Sequence, residues 1–168
     1  MPKPIRVLGV DTSLRSTGVG VVDTVGSQYK AVTWGLIKNP SARPHTACLA
    51  HLFEELVGVI RRDKPMAAAV EGIFFSKNVR TAVTLGQARG VVLAACAMEG
   101  VPVYEYSPRS VKQSVVGNGN AHKTQISRMV RVLLGLAETP EEDAADALAM
   151  ALCHLHHHGR PGTRNNPI

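Results

Sequence analysis

From Asp143 to Cys153 the chain reads Asp-Ala-Ala-Asp-Ala-Leu-Ala-Met-Ala-Leu-Cys, with nine apolar residues in eleven. A helix that is apolar on every side has to be covered on every side. Its alanines let its backbone come close to a sheet. Asp143 and Asp146, three residues apart, share one face of this helix. Acids in a first turn answer the helix dipole, which accounts for Glu141 and Glu142. Asp146 lies deeper, and a buried carboxylate needs a partner, a role that a metal ion fills well. Thr139-Pro140-Glu141-Glu142 predicts the helix start, with Thr139 as N-cap, Pro at the first position and Glu at the third.

The sheet that this helix needs is visible upstream. Arg6 to Asp11 is a short β-branched run ending in a carboxylate, which fits a buried strand with Asp11 at its C-terminal end. Gly18 to Asp23 and Tyr29 to Ile37, joined by a turn at Gly26-Ser27, predict two further strands in an antiparallel meander with the first. His45 to Arg62 carries Leu49, Leu52, Phe53, Leu56 and Ile60 at helical spacing. Met66 to Val70, between a proline and a glycine, reads as a buried parallel strand reached by that helical crossover. Right-handed crossover geometry places Glu71, at its end, on the sheet edge that carries Asp11. Thr81 to Glu99 predicts a second long helix, Val101 to Tyr106 a fifth strand near the sheet edge because of Pro102, and Ala121 to Leu134 another helix capped by Asn120. The fold class is α/β: a five-stranded mixed sheet, three antiparallel strands followed by parallel ones, flanked by helices.

With 168 residues, 45% of them apolar, the chain suits one globular domain, expected over 1–158, with a disordered tail at 159–168. A net charge of +6 favours a polyanionic partner. The longest unbroken apolar stretch, around Val91 to Met98, is short of the roughly 20 residues of a spanning helix, so no membrane anchor is expected. The N-terminus runs straight into the first strand and leaves no room for a signal peptide. Cys48, Cys96 and Cys153, odd in number and widely spaced, read as small core residues in a reducing cytoplasm. His154, His156, His157 and His158 read as a solvated helix end.

Two loops carry cations. In Ile73 to Arg80, Phe74 and Phe75 stand beside Lys77, Asn78 and Arg80, in a chain with only 4% aromatic residues. Two readings stand: the rings pack in the core, or one is exposed to stack on or wedge between bases while the cations hold phosphates. In Val116 to Lys123, a glycine-bearing loop before a helix, together with Lys112 and Lys123, suits a phosphate; an ordinary solvated loop fits equally.

Asp11, Glu71, Asp143 and Asp146 thus come from two strand ends and one helix. Four hard oxygen donors without cysteine favour Mg²⁺ or Mn²⁺, and such a set can hold two ions for phosphodiester hydrolysis. The order strand-Asp, strand-Glu, late Asp-Ala-Ala-Asp helix resembles the ribonuclease H-like nucleases, and in detail the RuvC family of Holliday-junction resolvases. The likeness runs from about Val7 to His154. Its most specific stretches are Glu71 to Asn78, Leu85 to Gly90, Val111-Lys112-Gln113 with the Gly117-x-Gly119 loop and Lys123, and Asp143 to Ala149. The resemblance implies metal binding by the four carboxylates, Phe74 probing the junction's exchange point, and Lys112 and Lys123 touching DNA near the cut. It also implies products ending in 5′-phosphate and 3′-hydroxyl, a homodimer built on the helix after Asn78, and a RuvA-RuvB branch-migration helicase partner. Where the family usually has Asp-Pro-Gly, this chain has Asp11-Thr12-Ser13.

Three other readings compete. A YqgF-like nuclease of the same superfamily would not be expected to combine the Phe74 loop, Val111-Lys112-Gln113 and Asp143-Ala-Ala-Asp146. A phosphotransferase of the actin and sugar-kinase type needs two such domains. A non-catalytic junction binder would carry an acidic cluster that repels DNA unless metal is present.

Overall fold

The computed structural model describes residues 3–73, 76–158 and 166–168. Five strands, β1 (Arg6–Asp11), β2 (Ser16–Val25), β3 (Gln28–Lys38), β4 (Ala67–Glu71) and β5 (Val103–Tyr106), form one sheet in the order β3-β2-β1-β4-β5. The first three are antiparallel neighbours, and β4 and β5 run parallel to β1, as expected. α1 (His45–Asp63) and α2 (Val79–Met98) are the crossovers into β4 and β5. α3 (Pro108–Val116), α4 (Lys123–Leu134) and α5 (Glu142–His157) follow.

Alternation along the strands sorts the core into two layers. Leu8, Val10, Ala68, Val70 and Val103 join Leu52 and Leu56 of α1 and Ala88, Val92 and Cys96 of α2. Val7, Ala69 and Tyr106 face the other way, with Val111 and Val115 of α3, Ile126 and Val130 of α4, and Leu148 and Leu152 of α5. β1 is therefore covered on both faces, as its continuous apolar run requires.

α5 presses directly onto the backbone of β1 and β2. A Cβ on Gly9 would lie 1.8 Å from the Ala147 carbonyl oxygen, one on Gly18 would lie 1.9 Å from that of Asp143, and one on Gly20 would lie 2.7 Å from the Leu148 side chain. The alanines expected to allow this approach, Ala144, Ala145, Ala147, Ala149 and Ala151, are all buried.

Several element ends differ from expectation. α4 is capped at His122 instead of Asn120. The Asn118 side chain accepts a hydrogen bond from the Asn120 N–H at 2.9 Å, closing a local turn that delays the helix, and Gln125 Oε1 then accepts from the His122 N–H at 2.8 Å. α5 starts at Glu142 with Glu141 at the cap, so the capping box expected from Thr139 does not form. Glu141 instead sits 3.7 Å from Lys38. The helix end at His154 is core, not solvated: His154 is 4% exposed and its Nδ1 shares a 2.8 Å hydrogen bond with the Tyr106 hydroxyl. Cys48, Cys96 and Cys153 are all buried and unpaired, as expected. The tail at 159–165 and the Phe74-Phe75 pair lie outside the described residues.

The close approach of α5 makes a sharp prediction. Gly9→Ala should destabilise the fold by about 1–3 kcal/mol or more through overpacking against the Ala147 carbonyl. Gly35→Ala, whose Cβ would meet nothing within 4 Å, should change stability by no more than about 0.5 kcal/mol. Urea denaturation of both variants decides it, and equal midpoints would show that the helix is not seated on the sheet as described.

Candidate active site

The parallel register pairs Val10 with Val70, so Asp11 and Glu71 follow as neighbours at one sheet edge. Because Val10 and Val70 face α1 and α2, alternation turns Asp11 and Glu71 toward α5. Asp11 pairs across the antiparallel ladder with Gly18, and Gly18 is the residue on which the Asp143 backbone rests. One contact thus brings the first turn of α5 to the end of β1. Asp143 projects from that turn and Asp146 from the next, and all four carboxylates are half-buried.

The electrostatics register this gathering. Asp11 is raised to about 7, first by burial and then by the charges of Asp146, Asp143 and Glu71, with Lys123 acting against them. Glu71 is raised by burial and by Asp146, and is relieved by Lys112, Lys123 and Arg89. Asp146 is raised by burial, opposed by Lys123, and pushed further by Glu142 and Asp143. Carboxylates that perturb one another share a site. Among the described residues, no three Asp, Glu, His or Cys groups stand as a closed coordination cluster; the four carboxylates form an open group within coulombic reach.

Both expected lysines face this group. Lys112, half-buried on α3, acts on Glu71 and Asp146. Lys123, at the first position of α4, acts on Asp11 and Asp146 while its ammonium contacts Glu142, which holds its own pKa up. Lys77, Asn78 and Arg80 are exposed around the start of α2. Asn78 also has a structural task, since its Oδ1 accepts from the Thr81 N–H at 3.1 Å and caps the helix.

Some participants were missed in the sequence. Ser16 Oγ donates to Asp143 Oδ2 at 2.7 Å, and Arg89 Nη1 donates to the Glu71 carbonyl at 2.5 Å. The hydroxyls of the Ser13-Leu14-Arg15-Ser16-Thr17 run carry positional meaning. Thr17 Oγ1 donates to the Ser13 carbonyl, and Ser13 Oγ accepts from the Ser16 N–H at 3.2 Å. These bonds stitch the β1–β2 turn where the resemblance leads one to expect Pro-Gly. A cavity of about 270 Å³ opens beside Glu71, lined by Thr12, Gly72, Ile73, Leu85 and Arg89 among others.

The chain is similar to known proteins over nearly its whole length. The family model described as crossover junction endodeoxyribonuclease RuvC matches residues 7–154. A protein of that description from Xanthobacter autotrophicus is 50% identical over 155 residues, 92% of each chain. Another from Caldicellulosiruptor saccharolyticus is 45% identical over 153 residues, covering 90% of this chain and 92% of the relative. Among solved structures, Thermus thermophilus RuvC in complex with a Holliday junction substrate superimposes with a TM-score of 0.90 at 36% identity, covering 98% of this chain and 99% of that one.

The raised Asp11 carboxyl has a consequence for stability. Its folded pKa of about 7 lies above the ordinary carboxylate value of 3.8, so its contribution is fully present below about 4 and is lost as pH rises through 7. In chelator, the unfolding free energy should fall by up to about 1.4 kcal/mol per pH unit across that window, and the melting temperature should fall with it. Asp11→Asn should flatten the dependence and melt higher than the wild type at pH 8. Thermal denaturation at pH 5 and pH 8 checks it, and a variant that melts lower at pH 8 would refute the like-charge account.

Proposed function

The chain belongs to the crossover junction endodeoxyribonuclease RuvC family, a family of Holliday-junction endonucleases, and we propose that it cuts with the carboxylate group at the β1 and β4 ends. The observation that carries this reading is the convergence of carboxylates at a single sheet edge: Asp11 and Glu71 end adjacent parallel strands, and the backbone of Asp143 rests on Gly18, the partner of Asp11, which brings α5 and its Asp146 to the same place. Four hard oxygen donors with no thiolate or imidazole among them fit Mg²⁺, with Mn²⁺ as a substitute, and suit two ions. Asp11, Glu71, Asp143 and Asp146 would hold them. When bound, such cations supply activation of the attacking water and stabilisation of the leaving oxygen at the phosphate.

The chain's own residues do the rest. The Ser16 hydroxyl fixes one oxygen of Asp143, leaving the other to face the group. Lys112 and Lys123 counter the carboxylate field, which would otherwise repel a DNA backbone, and offset charge developing on the scissile phosphate. Lys77 and Arg80 hold phosphates, Phe74 probes the exchange point, and Phe75 and Asn78 are further DNA contacts. The products carry 5′-phosphate and 3′-hydroxyl ends.

The substrate in this proposal is four-way junction DNA, the molecule bound in the Thermus thermophilus complex. Resolution into two duplexes needs two symmetric nicks, which two copies related by a two-fold axis would deliver. α2 offers the surface for a second copy. Val79, Val83 and Met98 are 75%, 54% and 74% exposed, and a Cβ on Gly86 or Gly90 would meet nothing within 4 Å. By length and composition α2 is also apolar enough to cross a membrane, but Arg89 lies against the sheet in its middle, and a homodimer covers the same apolar surface. The RuvA-RuvB helicase and action on the chromosome in the cytoplasm complete the reading.

Two experiments test it. A labelled mobile four-way junction incubated with Mg²⁺ should receive paired symmetric nicks from the wild type and none from Asp146→Asn, while junction binding persists; binding without nicks in either Mg²⁺ or Mn²⁺ would overturn the enzymatic site. Val83→Arg placed on the exposed stripe should shift sedimentation from dimer to monomer and abolish paired nicking. An unshifted dimer would move the interface elsewhere.

A further inference from the structure

Arg89 is the single charged residue of α2 between Arg80 and Glu99. An arginine in a helix ordinarily extends its head into water. This side chain is only 13% exposed and turns inward, toward the C-terminal edge of the sheet. Its Nη1 donates to the Glu71 carbonyl at 2.5 Å, and its Nη2 stands 2.7 Å from Glu105 Oε1 as an ion pair without hydrogen-bond alignment. Glu105 lies on β5 opposite Val70, so the guanidinium spans two adjacent strands. The N–H of the same peptide, on Gly72, donates to the Tyr106 carbonyl at 2.9 Å, which ties it to β5 as well.

Alternation places Glu105 on the α2 face with Val103, opposite the face toward which Glu71 extends its carboxylate. Arg89 therefore grips the last peptide of β4 from behind the sheet. This is the last peptide of β4, and two contacts hold it: the Gly72 N–H bonded to Tyr106 of β5 on one side, and Arg89 on the Glu71 carbonyl on the other. Serving a carbonyl and a carboxylate together needs a planar fork, which lysine lacks.

We propose that Arg89 is a positioning residue for Glu71, fixing the end of β4 against Glu105 so that the Glu71 carboxylate stands beside Asp11. The inference rests on the assignment of Glu71 to the active site. Groups of this kind, one step removed from the ligands they orient, typically govern about 10–100-fold of activity.

The test compares Arg89→Met, Arg89→Lys and Glu71→Gln in the full chain. Readouts are kcat and KM for nicking of a four-way junction, junction binding in Ca²⁺, thermal melting, and amide hydrogen exchange. Arg89→Met should lower kcat about 10–100-fold with KM and junction binding unchanged, and should accelerate exchange at residues 70–72 selectively. Arg89→Lys should show the same pattern to a smaller extent, and it carries the test if Arg89→Met fails to fold. Near-wild-type kcat in Arg89→Lys and Arg89→Met, beside an inactive Glu71→Gln, would overturn the inference alone. A loss confined to junction binding would also overturn it, making Arg89 a DNA contact. An active Glu71→Gln would overturn the site assignment and this inference with it.

Discussion

The contact on which the rest of the structure depends is the seating of α5 on the bare backbone of β1 and β2. Gly9 and Gly18 leave no side chain between sheet and helix, so the backbones of Ala147 and Asp143 occupy the space, and Gly20 makes room for the Leu148 side chain. A helix normally packs at about 10 Å from a sheet because side chains interpose. Removing them lets the first turn of α5 reach the end of β1. Two carboxylates from residues more than 130 positions apart in the chain are thereby brought to one edge. The seam also explains why the helix is alanine-rich without being a weak packing element: eleven of its residues are buried.

That arrangement works against stability at the place where it creates function. Burial raises each of the three perturbed carboxyls, and the remaining charges raise Asp11 further. The fold sustains this because the group sits at the end of the sheet, where Lys112 and Lys123 approach from α3 and α4, and because two fully packed apolar layers lie beneath it. Strain concentrated at a site and offset elsewhere is what a site selected for charge binding requires. The thiols take no part. Burial pushes Cys96 up to about 11 and Cys153 to about 12, so both remain protonated core residues.

The elements and their order were legible in the sequence because each has a long apolar pattern with one dominant period. Asp11 and Glu71 were legible as strand ends, and Asp146 as an acid too deep in an apolar helix for a dipole role. What escaped depends on contacts that no local pattern encodes. Ser16 matters through a hydroxyl that meets Asp143, 127 residues away. Arg89 looked like one letter of a helical motif, and only the crossover places it behind β4. The caps at Asn120 and Thr139 were misjudged because Asn118 closes a competing turn and because Glu141 meets Lys38. His154 was misjudged because the run of histidines suggests solvent, whereas the strand β5 lies across that end of the helix.

The histidine has a mechanical meaning. A seam of glycine and alanine lets α5 come close, but smooth small-residue surfaces resist sliding weakly, since there are few knobs to lock into holes. Directional bonds at the two ends supply what the middle lacks. At the N-terminal end Ser16 holds Asp143 to β2, and at the other end Tyr106 of β5 holds His154. His154 is lowered to about 4, first by burial and then by His158 and His157, so near neutral pH it is an uncharged partner that the core tolerates. Tyr104 packs on the same ring at 4.5 Å between centroids. A helix pinned at both ends cannot shift by a residue, and a shift of one residue would rotate Asp146 by about 100° away from Asp11. The placing of Asp143 and Asp146 at one end of α5 is thus set in part by a neutral imidazole at the other end.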